Sequence, residues 1–107
     1  MKRVTAKDAK QLQDEGWTYV DVRTELEFEG GHPTGSVNIS FNAPNFLDLI
    51  KQRFQPESKL IIGCQMGGRS ARAGAALEAH GYTSLADNTQ GFGGWTQSNL
   101  PIAKGKS

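Results

Sequence analysis

Short apolar runs alternate along this chain with stretches in which apolar residues recur every three or four positions. The runs are rich in aromatic and β-branched residues and predict strands, whereas the recurring pattern predicts amphipathic helices. Strands are predicted at 17–22, 37–39, 59–63 and 82–86. Helices are predicted at 6–15, 24–29, 46–54 and 70–80, and a short one follows Gly91. The Gly- and Pro-containing stretch 30–35 predicts a loop, and the residues after Leu100 predict a frayed basic tail.

This alternation predicts an α/β fold with a small, largely parallel central sheet and helices on both faces. A chain of 107 residues is long enough for one hydrophobic core, so residues 1–107 are expected to form a single domain. Ligands bind to such sheets beyond the C-terminal ends of the strands. The ends of the predicted strands are therefore where candidate chemistry is expected.

The strand 59–63 ends directly at Cys64, the only cysteine of the chain. A short loop with Gly67 and Gly68 follows, and an Ala-rich helical pattern begins at Ser70. This order places a thiol at the C-terminal edge of the sheet, facing the N-terminus of a helix. Both features favour a sulfur anion at that position. The sequence thus predicts a small thiolate enzyme built around Cys64.

The free energy needed to ionise Cys64 sets a requirement on the loop. Lowering a thiol pKa from about 8.5 by two units takes roughly 2.7 kcal/mol, whereas a helix dipole contributes only ~0.3–1 kcal/mol. Hydrogen bonds to a charged group contribute about 1.5–3 kcal/mol each, so several backbone N–H groups must point at the sulfur.

Gly67 and Gly68 permit the backbone angles of such a nest. Arg69 adds a positive charge or braces the loop through a carboxylate. The same arrangement binds an oxyanion, either an anionic sulfur donor or a phosphate.

The alternative is that Cys64 is an inert core residue, because free cysteines are often buried. His32 and His80 are candidate bases for the thiol, but loop ordering and helix capping are the simpler roles for them.

Gly74, inside a predicted helix, indicates close packing against the sheet. With one cysteine and scattered histidines, we expect no disulfide, no resolving thiol, no metal site and no cofactor.

Charge and hydropathy restrict the classes of partner. The net charge of +1 gives no basic surface for nucleic acid or for an acidic membrane. No apolar stretch approaches the ~20 residues that span a bilayer, and the N-terminus has no apolar signal region. A cytoplasmic protein is therefore expected, with a mature organellar form left open.

An ordered set of motifs covers nearly the whole chain. They are Asp21-Val22-Arg23, Glu25, Glu27-Phe28, Gly31-His32, Gly35, Asn38-Ile39, Cys64-Gln65-Met66-Gly67-Gly68-Arg69-Ser70, Gly81-Tyr82, Gly91, Trp95-Thr96 and Leu100-Pro101. In these motifs the chain resembles the rhodanese-like domain, specifically the stand-alone single-domain thiosulfate sulfurtransferases of bacteria and plants. The Cys64 loop is the most specific of them.

The resemblance implies a persulfide enzyme without a cofactor. Cys64 would attack the outer sulfur of thiosulfate, or of a related small anionic donor, and release sulfite. The acceptor would be cyanide, a low-molecular-weight thiol such as glutathione, or a protein thiol, with ping-pong kinetics. The loop would hold substrate and persulfide through Gln65, Met66, Gly67, Gly68, Arg69 and Ser70. Asp21 and Arg23 would lie beneath the site as structural support.

Two further readings stay open. Cell-cycle dual-specificity phosphatases resemble this architecture but carry five residues between cysteine and arginine, whereas four separate Cys64 from Arg69 here. The second alternative is a rhodanese-like module that mediates an interaction or carries sulfur without catalysis. The chain also departs from the family at Asn88-Thr89, where an apolar pair is usual, and this departure weakens the case for a buried last strand.

Overall fold

The computed structural model describes residues 1–106 of the chain. Its strands are β1 (Lys2–Val4), β2 (Thr18–Asp21), β3 (His32–Pro33), β4 (Val37–Asn38), β5 (Lys59–Gly63), β6 (Ser84–Asn88) and β7 (Ile102–Ala103). Its helices are α1 (Ala6–Asp14), α2 (Glu25–Gly30), α3 (Phe46–Arg53), α4 (Gly68–Ala79) and α5 (Gly91–Gln97). Among these helices, none is long and apolar enough to cross a membrane.

Five strands form one parallel sheet in the order β1-β6-β5-β2-β4. On one face, Phe46 and Ile50 of α3 and Leu77 of α4 pack on the sheet. On the other face, α1 and α5 cover it, with Trp95 fully buried. The predicted α/β class, with a parallel sheet and helices on both faces, is confirmed. Since all five strands run in the same direction, their C-terminal ends meet at one edge.

Three short strands escape prediction from sequence. β1 pairs with β6 at the sheet edge, and β3 pairs with β7 in a separate antiparallel ribbon. The loop predicted at 30–35 and the frayed tail predicted after Leu100 are thus partly wrong, because His32 pairs with Ala103 and Pro33 with Ile102. Two- and three-residue strands depend on partners far along the chain rather than on local apolar pattern.

A buried strand does form at the Asn88-Thr89 departure, because β6 lies between β1 and β5 and Asn88 is fully buried. The Asn88 amide donates to Tyr19 Oη at 2.9 Å and to the Gly91 carbonyl at 3.3 Å. Its Oδ1 accepts the N–H groups of Gln90 and Gly91. A buried amide is tolerated at this position because its polar atoms are paired.

The Tyr19 ring, whose hydroxyl accepts from Asn88, also restricts position 63, the residue before Cys64, to glycine. A Cβ on Gly63 would lie 2.0 Å from Tyr19 Oη, so no side chain fits there unless the ring moves. Burial raises the pKa of the Tyr19 phenol well above its usual value, so this group stays protonated as a hydrogen-bond partner.

Gly74 permits close packing, but its partner is not the one expected. A Cβ at position 74 would lie 2.2 Å from the sulfur of Met1, which rests on this point of α4. The terminal amino group of Met1 also pairs with Glu78 one turn further along the helix. The glycine thus admits the N-terminal residue, not the sheet.

Candidate active site

Cys64 follows the last residue of β5, at the edge where the parallel strands end. Its residue exposure is only 2% and it contacts the core beneath α4. The Gly67 N–H nevertheless donates to Cys64 Sγ, with an N···S distance of 3.0 Å. A sulfur that accepts a backbone hydrogen bond at the surface end of a strand differs from an inert core thiol.

The loop from Gln65 to Gly67 closes over this sulfur. Gly67 has a φ of +105°, in the left-handed region that glycine adopts most readily. A Cβ on Gly67 would also lie 2.8 Å from the Thr89 carbonyl oxygen. α4 begins at Gly68, two residues earlier than predicted, so its first turn belongs to the loop. Met66, at the loop tip, is 83% exposed.

The start of α5 holds the loop from the other side. The Phe92 N–H donates to the Cys64 carbonyl at 2.8 Å, and the Gly93 N–H donates to the Gln65 carbonyl at 3.3 Å. A Cβ on Gly91 would lie 2.3 Å from the Gln65 oxygen. Sequence reasoning assigned α5 no part in the site, although its run of glycines is a signal of close backbone approach. With these two carbonyls fixed toward α5, the loop directs the Gly67 N–H at the sulfur.

Two opposing effects act on the pKa of Cys64. Burial raises it, because the thiolate is the charged form. The backbone N–H and the hydroxyl of Ser70, and the N–H groups of Gly67 and Met66, lower it. The hydrogen bonds outweigh burial, so the pKa of Cys64 lies below its usual value. The convergence of several donors on the sulfur stays a prediction, of which the Gly67 N–H at 3.0 Å is one member.

Arg69 is turned toward a carboxylate on a neighbouring helix. Its Nη1 and Nη2 donate to Glu27 Oε1 at 2.7 Å and to Oε2 at 3.0 Å. Glu27 also closes the capping box of α2, because its Oε1 accepts from the N–H and hydroxyl of Thr24. The bidentate pair links α4 to α2, which matches the bracing role anticipated for Arg69. The sequence offered no means of choosing Glu27 among eleven acidic residues.

Asp21 and Arg23 form a buried ion pair at the end of β2. Arg23 Nε lies 3.0 Å from Asp21 Oδ1, and Nη2 lies 2.7 Å from Oδ2. The same guanidinium donates to the Gly31 carbonyl at 2.7 Å and to Gln65 Oε1 at 3.3 Å. Its Cζ atom lies 4.5 Å from the centre of the Phe92 ring. The pair therefore contacts both the loop and α5.

Ser70 connects the loop to a residue that sequence reasoning did not single out. Its hydroxyl lies 3.6 Å from Cys64 Sγ, 3.1 Å from the Gly67 carbonyl and 2.7 Å from Asp87 Oδ1. Asp87 lies on β6 and is buried. Asp87 directly follows the strand predicted at 82–86, and an acidic residue at the end of a strand was the only available signal.

The two histidines make local contacts. His32 Nδ1 lies 2.7 Å from the Phe28 carbonyl, and the His32 ring stacks on Phe28. His80 Nδ1 lies 2.9 Å from the Ala76 carbonyl, at the end of α4. His80 thus contacts the last turn of α4, as the predicted capping role requires. His32 was expected to order a loop, but it lies in β3 and contacts α2.

A shallow depression of about 400 Å³ lies beside the loop, between it and α5. None of its lining residues is charged; they are Gln65, Met66, Thr89, Gln90, Gly93, Gly94, Gln97 and Ser98. A substrate that approached the loop on this side would meet amide and hydroxyl groups rather than ionic ones.

Comparison with known proteins shows the family to which this fold belongs. A family model described as the rhodanese-like domain matches residues 5–98. Rhodanese-like domain-containing protein 15, chloroplastic, from Arabidopsis thaliana is 33% identical over 92% of this chain, which spans 59% of that relative's length. Thiosulfate sulfurtransferase 16, chloroplastic, from the same plant is 35% identical, over 80% of this chain and 79% of its own.

Solved structures show the same fold. The polysulfide-sulfur transferase homodimer of Wolinella succinogenes superposes with a TM-score of 0.82 at 26% identity, over 97% of this chain and 79% of its own. The family model covers the Cys64 loop, the strands that carry it and the helices that brace it. The chain belongs to the rhodanese-like domain family.

Proposed function

We propose that this protein is a sulfurtransferase that moves a sulfane sulfur from thiosulfate, or a related small anionic donor, to a thiophilic acceptor. The observation that carries the proposal is the hydrogen bond of 3.0 Å from the Gly67 N–H to Cys64 Sγ. Together with the lowered pKa of Cys64, it supports a thiolate ready to act as a nucleophile. Family membership and the named thiosulfate sulfurtransferases among the relatives support the same chemistry.

In the proposed reaction, the Cys64 thiolate attacks the outer sulfur of thiosulfate. The Sγ–S bond forms as the bond between the two donor sulfurs breaks, and sulfite leaves with that electron pair. The remaining Cys64 persulfide lies within the loop 65–70, whose backbone N–H groups stabilise the anion. Cyanide, a low-molecular-weight thiol or a protein thiol then attacks the outer sulfur and restores the thiolate. Two half-reactions through one covalent intermediate give ping-pong kinetics.

The residues around Cys64 brace the loop, supply positive charge and support Gln65. Arg69 braces the loop through Glu27 and supplies a positive charge close enough to interact with Cys64. Asp21 and Arg23 support Gln65 from below. With no second cysteine in the chain, the persulfide is discharged to an external acceptor.

Cys64→Ser tests the proposal. Incubation of the wild-type protein with thiosulfate should add one sulfur atom, about 32 Da, as expected for a covalent intermediate, and cyanide should remove it. Cys64→Ser should show neither the mass increase nor thiocyanate formation, with an unchanged circular dichroism spectrum. An aryl phosphate assayed in parallel should not be hydrolysed.

The contrary outcomes are equally definite. Undiminished thiocyanate formation by Cys64→Ser would exclude Cys64 as nucleophile. Hydrolysis of the aryl phosphate without a sulfur adduct would favour the phosphatase reading. A wild-type protein inert toward thiosulfate, polysulfide and aryl phosphate would leave a non-catalytic module.

A further inference from the structure

A buried carboxylate reaches the Cys64 side chain through a single hydroxyl. Asp87, 2% exposed on β6, places Oδ1 2.7 Å from Ser70 Oγ, and Ser70 Oγ lies 3.6 Å from Cys64 Sγ. The Ser70 hydroxyl also contacts the Gly67 carbonyl at 3.1 Å. Nothing in the proposed sulfur transfer uses Asp87.

The protonation state of Asp87 determines where the single Ser70 hydroxyl proton points. A serine hydroxyl carries one proton, so Ser70 donates to one of its three neighbours at a time. When Asp87 is ionised, the short contact directs the Ser70 proton to Asp87, and Ser70 Oγ accepts from the Cys64 thiol. When Asp87 is protonated, it donates to Ser70, and the Ser70 proton is free to point at the thiolate.

Electrostatic repulsion opposes the simultaneous ionisation of Cys64 and Asp87. Two anions separated by one oxygen atom in a buried site repel each other, so one of them retains a proton. Burial raises the pKa of Asp87; the Ser70 hydrogen bond and the charge of Arg3 lower it, and the balance leaves it above its usual value. A carboxyl group of this kind is a better proton acceptor than an exposed aspartate.

We propose that Asp87 takes up the proton of the Cys64 thiol, with Ser70 as the bridge. The Sγ–H bond breaks as a Ser70 Oγ–H bond forms, and the original Ser70 O–H bond breaks as the proton reaches Asp87 Oδ1. No electrons are transferred, and the charge of the pair is unchanged. Since Asp87 acts through Ser70, it is a positioning residue. If sulfur transfer occurs as proposed above, sulfite then leaves without needing that proton.

Other ionisable groups around the pair do not replace Asp87 in this role. Arg3 of β1 interacts with Asp87, whereas Tyr19 of β2 and Arg69 of α4 interact with Cys64. The Asp21–Arg23 pair at the end of β2 interacts with Tyr19. Arginine side chains stay protonated in proteins, and burial raises the pKa of Tyr19. Asp21 is held by its ion pair with Arg23.

The pH dependence of Cys64 alkylation by iodoacetamide, followed by intact mass over about pH 4 to 10, tests the proposal. Two groups that share a proton titrate in two steps, separated by more than about one pH unit. The wild-type rate should therefore rise in two steps. Asp87→Asn can donate to Ser70 but cannot accept a proton. It should show one step, below the upper wild-type step, and should react faster than wild type at pH values between the wild-type steps.

Two further variants complete the design. Ser70→Ala removes the bridge but keeps both titrating groups, so it should bring the two steps closer together, which provides a second test if Asp87→Asn folds poorly. Asp48→Asn, an exposed aspartate on α3, should keep the two-step profile. A single one-proton step in the folded wild-type protein, or identical profiles for wild type and Asp87→Asn, would overturn the proposal. Alkylation needs no sulfur donor, so two steps with no thiosulfate turnover would refute only the proposed function.

Discussion

Gly67 and Gly68 are neighbours with opposite tolerance for a side chain. Gly67 combines a positive φ with a carbonyl oxygen 2.8 Å from its virtual Cβ, whereas a Cβ on Gly68 would meet nothing within 4 Å. Only the first glycine donates its N–H to Cys64 Sγ. The two positions therefore allow the effect of a lost hydrogen bond to be separated from that of a lost glycine.

Gly67→Ala is expected to raise the pKa of Cys64 and to slow its alkylation at neutral pH. Alanine strains a left-handed position and destabilises the native state by more than about 1 kcal/mol, and the clash with Thr89 displaces the donor. Gly68→Ala, at the first residue of α4, should leave the alkylation profile unchanged and stability equal or slightly higher. Equal alkylation profiles for the two variants would mean that the Gly67 N–H does not control the thiol.

Sequence reasoning located the thiol and its loop because strand, cysteine, glycines and helix are contiguous along the chain. It included Glu27 among the motif residues without assigning it a partner, and it did not single out Asp87. These residues contact the loop across 42 and 17 positions of sequence, and only the tertiary fold selects them from the other acidic residues. The same limit applies to Asn88, which appears unfavourable in isolation but is paired with Tyr19, 69 positions away.

At the scale of elements, the Arg69–Glu27 pair joins the first turn of α4 to the first turn of α2. The guanidinium thus has two roles, a charge near the thiol and a clamp between helices. Replacement of Arg69 by lysine would keep the positive charge but would lose the bidentate contact with Glu27.

Arg69→Ala is expected to raise the pKa of Cys64, because the positive charge that favours the thiolate is lost. Arg69→Lys should keep most of that effect while losing the bidentate contact. Alkylation rates against pH report the charge, and urea unfolding reports the clamp, for which about 0.2–1 kcal/mol is expected at a partly exposed pair. An unchanged alkylation midpoint in Arg69→Ala would show that this residue only braces the loop.

The long elements follow from local patterns, whereas the short ones do not. Leu60, Ile61 and Ile62 form an apolar run whose burial fixes β5 in the centre of the sheet. β3 and β7 contain two residues each and exist because Pro101 and its neighbours return to α2 and β3. No local pattern encodes such a return.

At the scale of the whole molecule, acid should weaken the fold through Glu27. Its contact with Arg69 lowers the pKa of Glu27 from 4.5 to about 2. Because the folded-state pKa is the lower one, the stabilisation is present above pH 4.5 and is lost as the pH falls toward 2.

Glu27→Gln removes this pH dependence. Its unfolding free energy should be lower than that of wild type by up to about 1 kcal/mol near neutral pH, since the pair is partly exposed, and the difference should shrink across that acid window. Chemical unfolding at several pH values measures it. Glu25→Gln, an exposed neighbour in the same helical turn, should track wild type; a Glu27→Gln difference that is constant with pH would exclude titration of this carboxylate as the cause.

The Tyr19 ring beneath Gly63, with its hydroxyl on Asn88, limits how this sequence can evolve. Mutations at these three sites are not independent in their effect on fitness. A side chain at position 63 requires the Tyr19 ring to move or to be replaced by a smaller residue, and either change takes from the Asn88 amide one of its acceptors. Lineages descending from this protein should therefore change the three positions in a restricted order, or retain all of them.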